Sequence, residues 1–249
     1  MREFSSIQRL LSKVRRAIDG YGMIEEGERI AVGVSGGKDS VTLLCVLNAL
    51  SRFYPKKFGI VAVCLDNGFP GMNFDPVKRL CDELDIQLII EKTHIYKIVF
   101  ELRKESNPCS LCANLRRGAL NNAALANGMK KVALGHHYDD VIETFFMNLF
   151  NEGRIACFSP VTYLDRKDVT LIRPMIYTPE SEIKRFIKTE SIEIVPKYCP
   201  ADGKTDRQKM KDFICSLEKN DRGIKKRVFG AIERGDISGF KEITNGKKG

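Results

Sequence analysis

Four short apolar runs, each released into a stretch of helical period, constrain this chain more than any other feature. RIAVGVS (29–35), GIVAVCLD (59–66), IQLIIEK (86–92) and KKVALG (130–135) are rich in β-branched and aliphatic residues. Runs of this kind suit strands covered on both faces, as in a parallel sheet. Helical patterns follow them: 39–53, with Val41, Leu43, Leu44, Val46 and Leu47 apolar; 75–84, opened by Asp75-Pro76 with proline suited to a first turn; and 139–151. Residues 96–104 and a long segment from the Cys109 region to Ala126, stopped by Asn127-Gly128, are also helical by pattern. Strands alternating with helices predict an α/β protein built on a doubly wound parallel sheet. A fifth strand is expected at IEIVP (192–196), an extended piece at LIRPM (171–175), and a further helix from Pro179.

Helical extensions are expected at both ends. An amphipathic helix over 6–19 precedes the first strand, and two basic helices follow the last. The chain has 249 residues, 43% of them hydrophobic, with no internal repeat or long linker. One domain over 1–249 is therefore expected: an N-terminal helix in 1–24, an α/β core in 25–200, basic helices in 201–243 and a disordered polar tail in 244–249. No apolar run approaches the roughly 20 residues of a bilayer span. The N-terminus also lacks the uninterrupted apolar stretch of a signal peptide. A membrane partner is not expected, and a cytoplasmic location is.

The net charge of +9 is unevenly spread. Residues 1–20 hold five Lys/Arg against Glu3 and Asp19, residues 204–249 hold thirteen Lys/Arg against seven acids, and the middle is neutral. A polyanion would be drawn to the two flanks; solvated helices with no partner would give the same charge.

The first strand runs into AVGVSGGKDSVTLL (31–44). This is not a Walker A loop, because Asp39 stands where Ser or Thr would follow Lys38, and GxGxxG is absent as well. The core of the motif is SGGKDS: Ser35, Gly36, Gly37, Lys38, Asp39 and Ser40. Its glycines let backbone approach a ligand, and its N–H groups and hydroxyls converge on an anion at a helix N-terminus. SGGKDS resembles the PP-loop of ATP pyrophosphatases. That resemblance implies a HUP-like parallel fold, a loop that holds the β,γ-pyrophosphate of ATP, and cleavage between the α and β phosphates. It implies that Leu65 and Asp66, ending the second strand, flank the adenine, in agreement with ligand binding at the carboxyl ends of strands.

A second site element is LGHHYDDVIET (134–144), which also leaves a strand and enters a helix. It is similar to the GHxxDD segment beside the nucleotide in PP-loop proteins, which points to Gly135 and His136 as nucleotide neighbours. Asp139, ahead of Asp140, is the candidate carboxylate for Mg²⁺; either is also a candidate helix N-cap.

Eight cysteines in a cytoplasmic chain do not suggest a disulfide framework. Cys45 and Cys64 sit in apolar runs, and Cys81, Cys157 and Cys215 show no ligand spacing. Cys109 and Cys112 in NPCSLC stand one helical turn apart, with Asn107 suited to an N-cap and Pro108 to the first helical position. A helix N-terminus and the nearby Arg116 favour thiolates, whether for redox or metal use. Cys199, in KYCPADGKTDRQ, is a third thiol. Three thiolates suit an iron–sulfur cluster with one open iron, whereas structural zinc takes four ligands.

SGGKDS, PCSLCANLRRG, LGHHYDDVIETFFMNLF, IRPMIYTPESEI and the late Cys199 followed by DRQ occur here in order, over about residues 10–215. Together they resemble the tRNA 2-thiocytidine synthetase family (TtcA). The resemblance implies a [4Fe–4S] cluster on Cys109, Cys112 and Cys199, with ATP and Mg²⁺ as further cofactors. Lys38, Asp39 and Asp139 would be the catalytic groups. The implied partners are tRNA and a sulfur donor such as a cysteine desulfurase, with a homodimer as a further possibility. The implied reaction is ATP-dependent replacement of a base carbonyl oxygen, at cytidine C2, by sulfur, releasing AMP and pyrophosphate. Members of the family carry a second CxxC in the later loop, whereas Cys199 stands alone. The alternatives are a tRNA 2-thiouridine synthetase, against which the absence of CxxC pairs at the chain ends counts, and a PP-loop ligase joining an amine to an adenylated base, which needs no cysteines.

Overall fold

The computed structural model describes residues 2–103, 108–196, 198–199 and 206–243. The expected tail (244–249) and the N-cap expected at Asn107 lie outside these residues. In chain order the elements are α1 (Gln8–Tyr21), β1 (Glu28–Gly33), α2 (Lys38–Ser51), β2 (Phe58–Asp66), α3 (Asp75–Leu84), β3 (Leu88–Lys92), a π-helical turn (Lys97–Arg103), α4 (Pro108–Ala126), β4 (Lys131–Ala133), α5 (Tyr138–Asn151), β5 (Val161–Leu164), β6 (Val169–Ile172), α6 (Glu180–Thr189), α7 (Asp206–Asn220) and α8 (Ile224–Arg234).

The six strands form one sheet in the order β3-β2-β1-β4-β6-β5. All neighbours are parallel except β5 and β6, which pair antiparallel. The chain builds outward from β1 to β3 on one side, then returns to lay β4 on the other side of β1. The switch point between β1 and β4 opens a crevice at their carboxyl ends, the usual ligand position in such sheets.

Alternation along the strands explains the two covered faces. Ile30, Val32, Ala62 and Cys64 enter the main core with α1, α2, α3, α6 and α8. Ala31, Val61, Val63 and Val132 face the other way, onto Ala123 and Ala124 of α4. Each fully buried aliphatic side chain contributes about 1.5–3 kcal/mol, so such runs are committed to a two-sided position. The terminal helices join the main core: Leu10, Leu11, Val14 and Ile18 of α1 and Phe229 and Ile232 of α8 are all buried there. No helix among the described residues is long and apolar enough to cross a membrane.

Two expectations need correction. IEIVP (192–196) is not a strand. Ile192 and Val195 are buried, but the Val195 N–H donates to the Gly36 carbonyl at 2.9 Å, so the segment straps the SGGKDS loop instead of extending the sheet. Of the expected extended piece at 171–175, residues 173–175 leave the sheet, and Leu171 and Ile172 end a hairpin strand, β6. Its partner β5 has a half-exposed, mixed pattern that carries little signal. Asp168, in the left-handed region at φ 49°, closes the hairpin turn.

Candidate active site

The SGGKDS loop joins β1 to α2. Gly36 has φ +83°, and a Cβ there would lie 2.4 Å from Val195 Cγ2, so both its conformation and its neighbour demand glycine. The Ser40 hydroxyl donates to the Gly37 carbonyl (3.0 Å) and accepts from the Ser35 N–H (3.1 Å), closing the loop on itself. Gly37 is the N-cap of α2 and has no side chain to satisfy the first helical N–H groups. Gly135, at the end of β4, packs directly on this helix start: a Cβ there would stand 3.1 Å from the Ser40 nitrogen and 3.2 Å from the Asp39 carbonyl carbon.

Beside the loop is a cavity of about 420 Å³, within the range of small-molecule sites. Ser35, Asp39, Ser40, Leu65, Gly135 and His136 line it. Asp66 does not; its carboxylate accepts from the Gly68 N–H at 3.0 Å and caps the turn after β2. Gly36, Gly37 and Lys38 lie at the loop without lining the cavity. The opposite wall is α4, through Ala113, Arg116, Arg117, Leu120 and Asn121. The helix that begins at Pro108-Cys109 therefore faces the phosphate loop across one cleft.

Charged side chains from three helices meet beside the loop. Lys38 lies 2.8 Å from Asp39 and 3.1 Å from Glu180, the first residue of α6. Burial works to lower the Lys38 pKa, but these two carboxylates outweigh it and raise it. Glu180 also receives Lys211 of α7 at 2.8 Å and Lys184 at 3.1 Å. Burial alone would raise its pKa; Lys211, Lys38 and Lys184 hold it well below the usual carboxylate range.

Asp139 and Asp140 have separate jobs. The N-cap of α5 is His137: its Nδ1 accepts from the Asp140 N–H at 3.4 Å, while Asp140 accepts from the His137 N–H at 2.9 Å. Asp139 instead accepts from the Glu180 N–H at 2.8 Å and from Lys225 at 2.7 Å. Burial pushes its pKa up, but those two donors prevail and leave it depressed. Asp140, not Asp139, lines the cavity. Arg207 of α7 lies 3.4 Å from Asp140 and 3.3 Å from Glu143, tying the C-terminal helices to the same corner. Part of the basic C-terminal flank is thus spent internally. Among the described residues, the exposed Lys219, Arg222 and Lys226 have no ion-pair partner.

His136 packs against Phe158, with ring centroids 4.9 Å apart. Its pKa is pushed down to about 4, first by burial and then by Arg173, so the ring is neutral at pH 7. Arg173 holds the loop before β5, donating to the Ser159 carbonyl (2.6 Å) and Thr162 hydroxyl (3.0 Å).

The cysteines fall into two kinds of environment. Cys45, Cys64 and Cys81 are buried core thiols, and burial pushes Cys64 and Cys81 up to about 12. Cys109 is exposed at the start of α4, Cys112 is buried one turn on, and Cys199 is half-buried. The Cys112 thiol is raised first by burial and further by Cys199 and Cys109, while Arg116 works to lower it. The three are electrostatic neighbours, although among the described residues no group of three or more His, Cys, Asp or Glu stands at metal-ligating spacing.

Sequence reasoning missed Asn67, Met72 and Asn121 as cavity residues. The Asn67 and Asn121 Oδ1 atoms are buried with no hydrogen-bond partner. Neither residue stands in a motif; only the backbone path brings them to the cleft.

Comparison with known proteins agrees with this architecture. The PP-loop domain family matches residues 5–217. The chain is 41% identical over 228 residues to the tRNA-cytidine(32) 2-sulfurtransferase of Geotalea daltonii, covering 90% of each chain. It is 40% identical over 228 residues to the enzyme of the same name from Geobacter metallireducens, covering 90% of this chain and 89% of the other. A similar solved fold is the U34-tRNA thiolase NcsA from Methanococcus maripaludis with its [4Fe–4S] cluster, at a TM-score of 0.73 and 24% identity, covering 92% of this chain and 79% of that one. With a PP-loop in a switch-point crevice and full-length relatives at this identity, the chain belongs to the tRNA-cytidine(32) 2-sulfurtransferase family of PP-loop enzymes.

Proposed function

We propose that this chain uses ATP to adenylate the C2 oxygen of cytidine 32 in tRNA and replaces that oxygen with sulfur. The observation that carries the reading is the shared cleft: the phosphate loop forms one wall, and the helix opened by Cys109 and Cys112 forms the other.

The C2 carbonyl is a poor electrophile, and its oxygen a poor leaving group. Attack of that oxygen on the α-phosphorus of ATP breaks the bond to the bridging oxygen and releases pyrophosphate. The oxygen is then part of AMP, a good leaving group. A sulfur nucleophile adds at C2, and AMP departs with the oxygen. Lys38 and the N–H groups and hydroxyls of Ser35–Ser40 stabilise the charge that collects on the departing pyrophosphate. Asp39 and Asp140, both lining the cavity, are oxygen donors suited to Mg²⁺, which would share that charge. Asp139, expected for the role, is held by Lys225 and the start of α6 and acts as a brace behind Asp140.

Cys109, Cys112 and Cys199 would hold a [4Fe–4S] cluster. The donor set suits it by chemistry: three thiols, with Cys199 and Cys109 both acting on Cys112, stand in one neighbourhood, and binding would draw them to ligating distance from a wider spacing. When bound, a cluster with three protein ligands leaves one iron open, the chemistry that sulfur delivery calls for. Arg116 and Arg117, on the same wall, are suited to an RNA or nucleotide phosphate.

Product analysis tests the reading. With ATP, tRNA and a sulfide source, chromatography should find AMP and pyrophosphate in equal amounts, and nucleoside mass spectrometry should find 2-thiocytidine. ADP as the main product, or thiolated uridine, would overturn it.

A further inference from the structure

Among the described residues, seven buried side-chain polar atoms have no hydrogen-bond partner, and three of them, on Asn67, Asn121 and His136, belong to residues lining the one cavity beside the phosphate loop. Buried polar groups are almost always paired, because an orphan keeps the full cost of leaving water. Such a concentration at one cavity calls for a ligand that supplies the missing partners.

Asn121 is the sharpest case. It lies on α4, is 2% exposed, and its side-chain Oδ1 is buried with no hydrogen-bond partner. Leu120, Leu134, Leu171 and Val63 line the same cavity, together with the charged Asp39, Arg116, Arg117 and Asp140. A buried, unpaired amide oxygen is an expensive feature for a helix that needs only packing. Leucine would fill the position without that cost.

A carboxamide offers one donor and one acceptor side by side. That pair matches an exocyclic amine next to a ring nitrogen, the pattern by which asparagine reads adenine. Because either amide orientation keeps a donor and an acceptor together, the match does not depend on how the Asn121 amide is turned. Cytosine shows the same edge. The nucleotide is favoured because the cavity that Asn121 lines is continuous with Ser35, Asp39 and Ser40 of the phosphate loop.

We infer that Asn121 is the base-reading residue of the nucleotide site, its amide paired with the exocyclic amine and adjacent ring nitrogen of adenine. The inference rests on the reading of the cleft as the ATP site. The contact gives the site selectivity for adenine, and it ties the bound nucleotide to the helix that begins at Cys109 and Cys112. Asn67, on the loop after β2, offers a second unpaired acceptor to the same ligand.

The test uses ATP and purine riboside triphosphate, which lacks only the exocyclic amine, with the full chain and no RNA. Calorimetry should show wild type preferring ATP by roughly 5- to 150-fold, the range of a bidentate base contact of about 1–3 kcal/mol. Asn121→Leu should bind both ligands alike, at the weaker affinity. Its unliganded Tm should be equal to or above wild type, because the substitution removes an orphaned amide. A retained ATP preference in Asn121→Leu would overturn the inference, and so would a lowered unliganded Tm, which would mark the amide as a structural partner. Failure of wild type to bind either triphosphate would overturn the ATP reading itself, and the inference with it.

Discussion

Lys225, in the first turn of α8, donates to the Asp139 carboxylate in the first turn of α5 at 2.7 Å. The pair couples a C-terminal helix that reads in the sequence as a solvated flank to the element carrying Asp140 into the nucleotide cleft. Both side chains are largely buried, at 24% and 12% exposed, so neither partner is easily replaced by water. Lys225→Met should cost about 1–3 kcal/mol, the scale of a hydrogen bond to a charged group. Asp139→Asn should cost a similar amount, and the double variant should cost less than the two together by about 1 kcal/mol or more. Urea unfolding of the four proteins measures this; strictly additive costs would show that the pair does not act as a unit.

Acid should weaken the fold through Glu180 and Asp139. Both carboxyls have folded pKa values below their ordinary 4.5 and 3.8. A depressed folded pKa contributes stability that is fully present above the unfolded value and lost as pH falls toward the folded one. Thermal melts should therefore show Tm holding above about pH 5 and dropping below it. Glu180→Gln should lower Tm at pH 7 but flatten the acid decline. An unchanged acid slope in that variant would refute the assignment.

Loss of Cys199 should have a different consequence from loss of Cys215. Cys215 lines a shallow pocket with Glu218, Lys219, Arg222 and Lys225, away from the cysteine helix. After anaerobic reconstitution, Cys199→Ser should retain little iron or sulfide, while Cys215→Ser should match wild type. Both should bind ATP normally. Full cluster content in Cys199→Ser, or equal loss in Cys215→Ser, would show that the third ligand is another group.

Binding to tRNA phosphates should involve the charges that the fold leaves unspent. Truncating the chain after residue 218 would remove buried Phe229, Ile232 and Phe240 along with the charge, so point variants give the cleaner experiment. Replacing Lys219, Arg222 and Lys226 with glutamine should weaken tRNA binding. It should also make the salt dependence shallower, by roughly one in log–log slope for each phosphate no longer neutralised. Asp139, Lys225 and the core are untouched, so Tm should hold. Filter binding from low to moderate salt would show the change; an unaltered slope would remove this face from the interface.

Local physics made much of this protein legible in the sequence. The runs 29–35, 59–66, 86–92 and 130–135 became β1 to β4 because doubly buried strands need unbroken apolar surface. Pro76 and Pro108 stand in the first turns of α3 and α4 because proline suits that position, and SGGKDS reads as an anion loop because glycine and hydroxyl chemistry act over six residues. IEIVP misled because its apolar pattern satisfies burial equally well against Gly36 as against a sheet edge, and only the packed chain chooses. The antiparallel β5–β6 hairpin escaped notice because an exposed edge strand needs little hydrophobic pattern. The division between Asp139 and Asp140 depended on where α6 and α8 deliver the Glu180 N–H and Lys225. Asn121 left no trace in the sequence, since an asparagine on a helix is ordinarily solvated. Its buried, unpaired state arises only when α4 closes over the crevice beside β1 and β4.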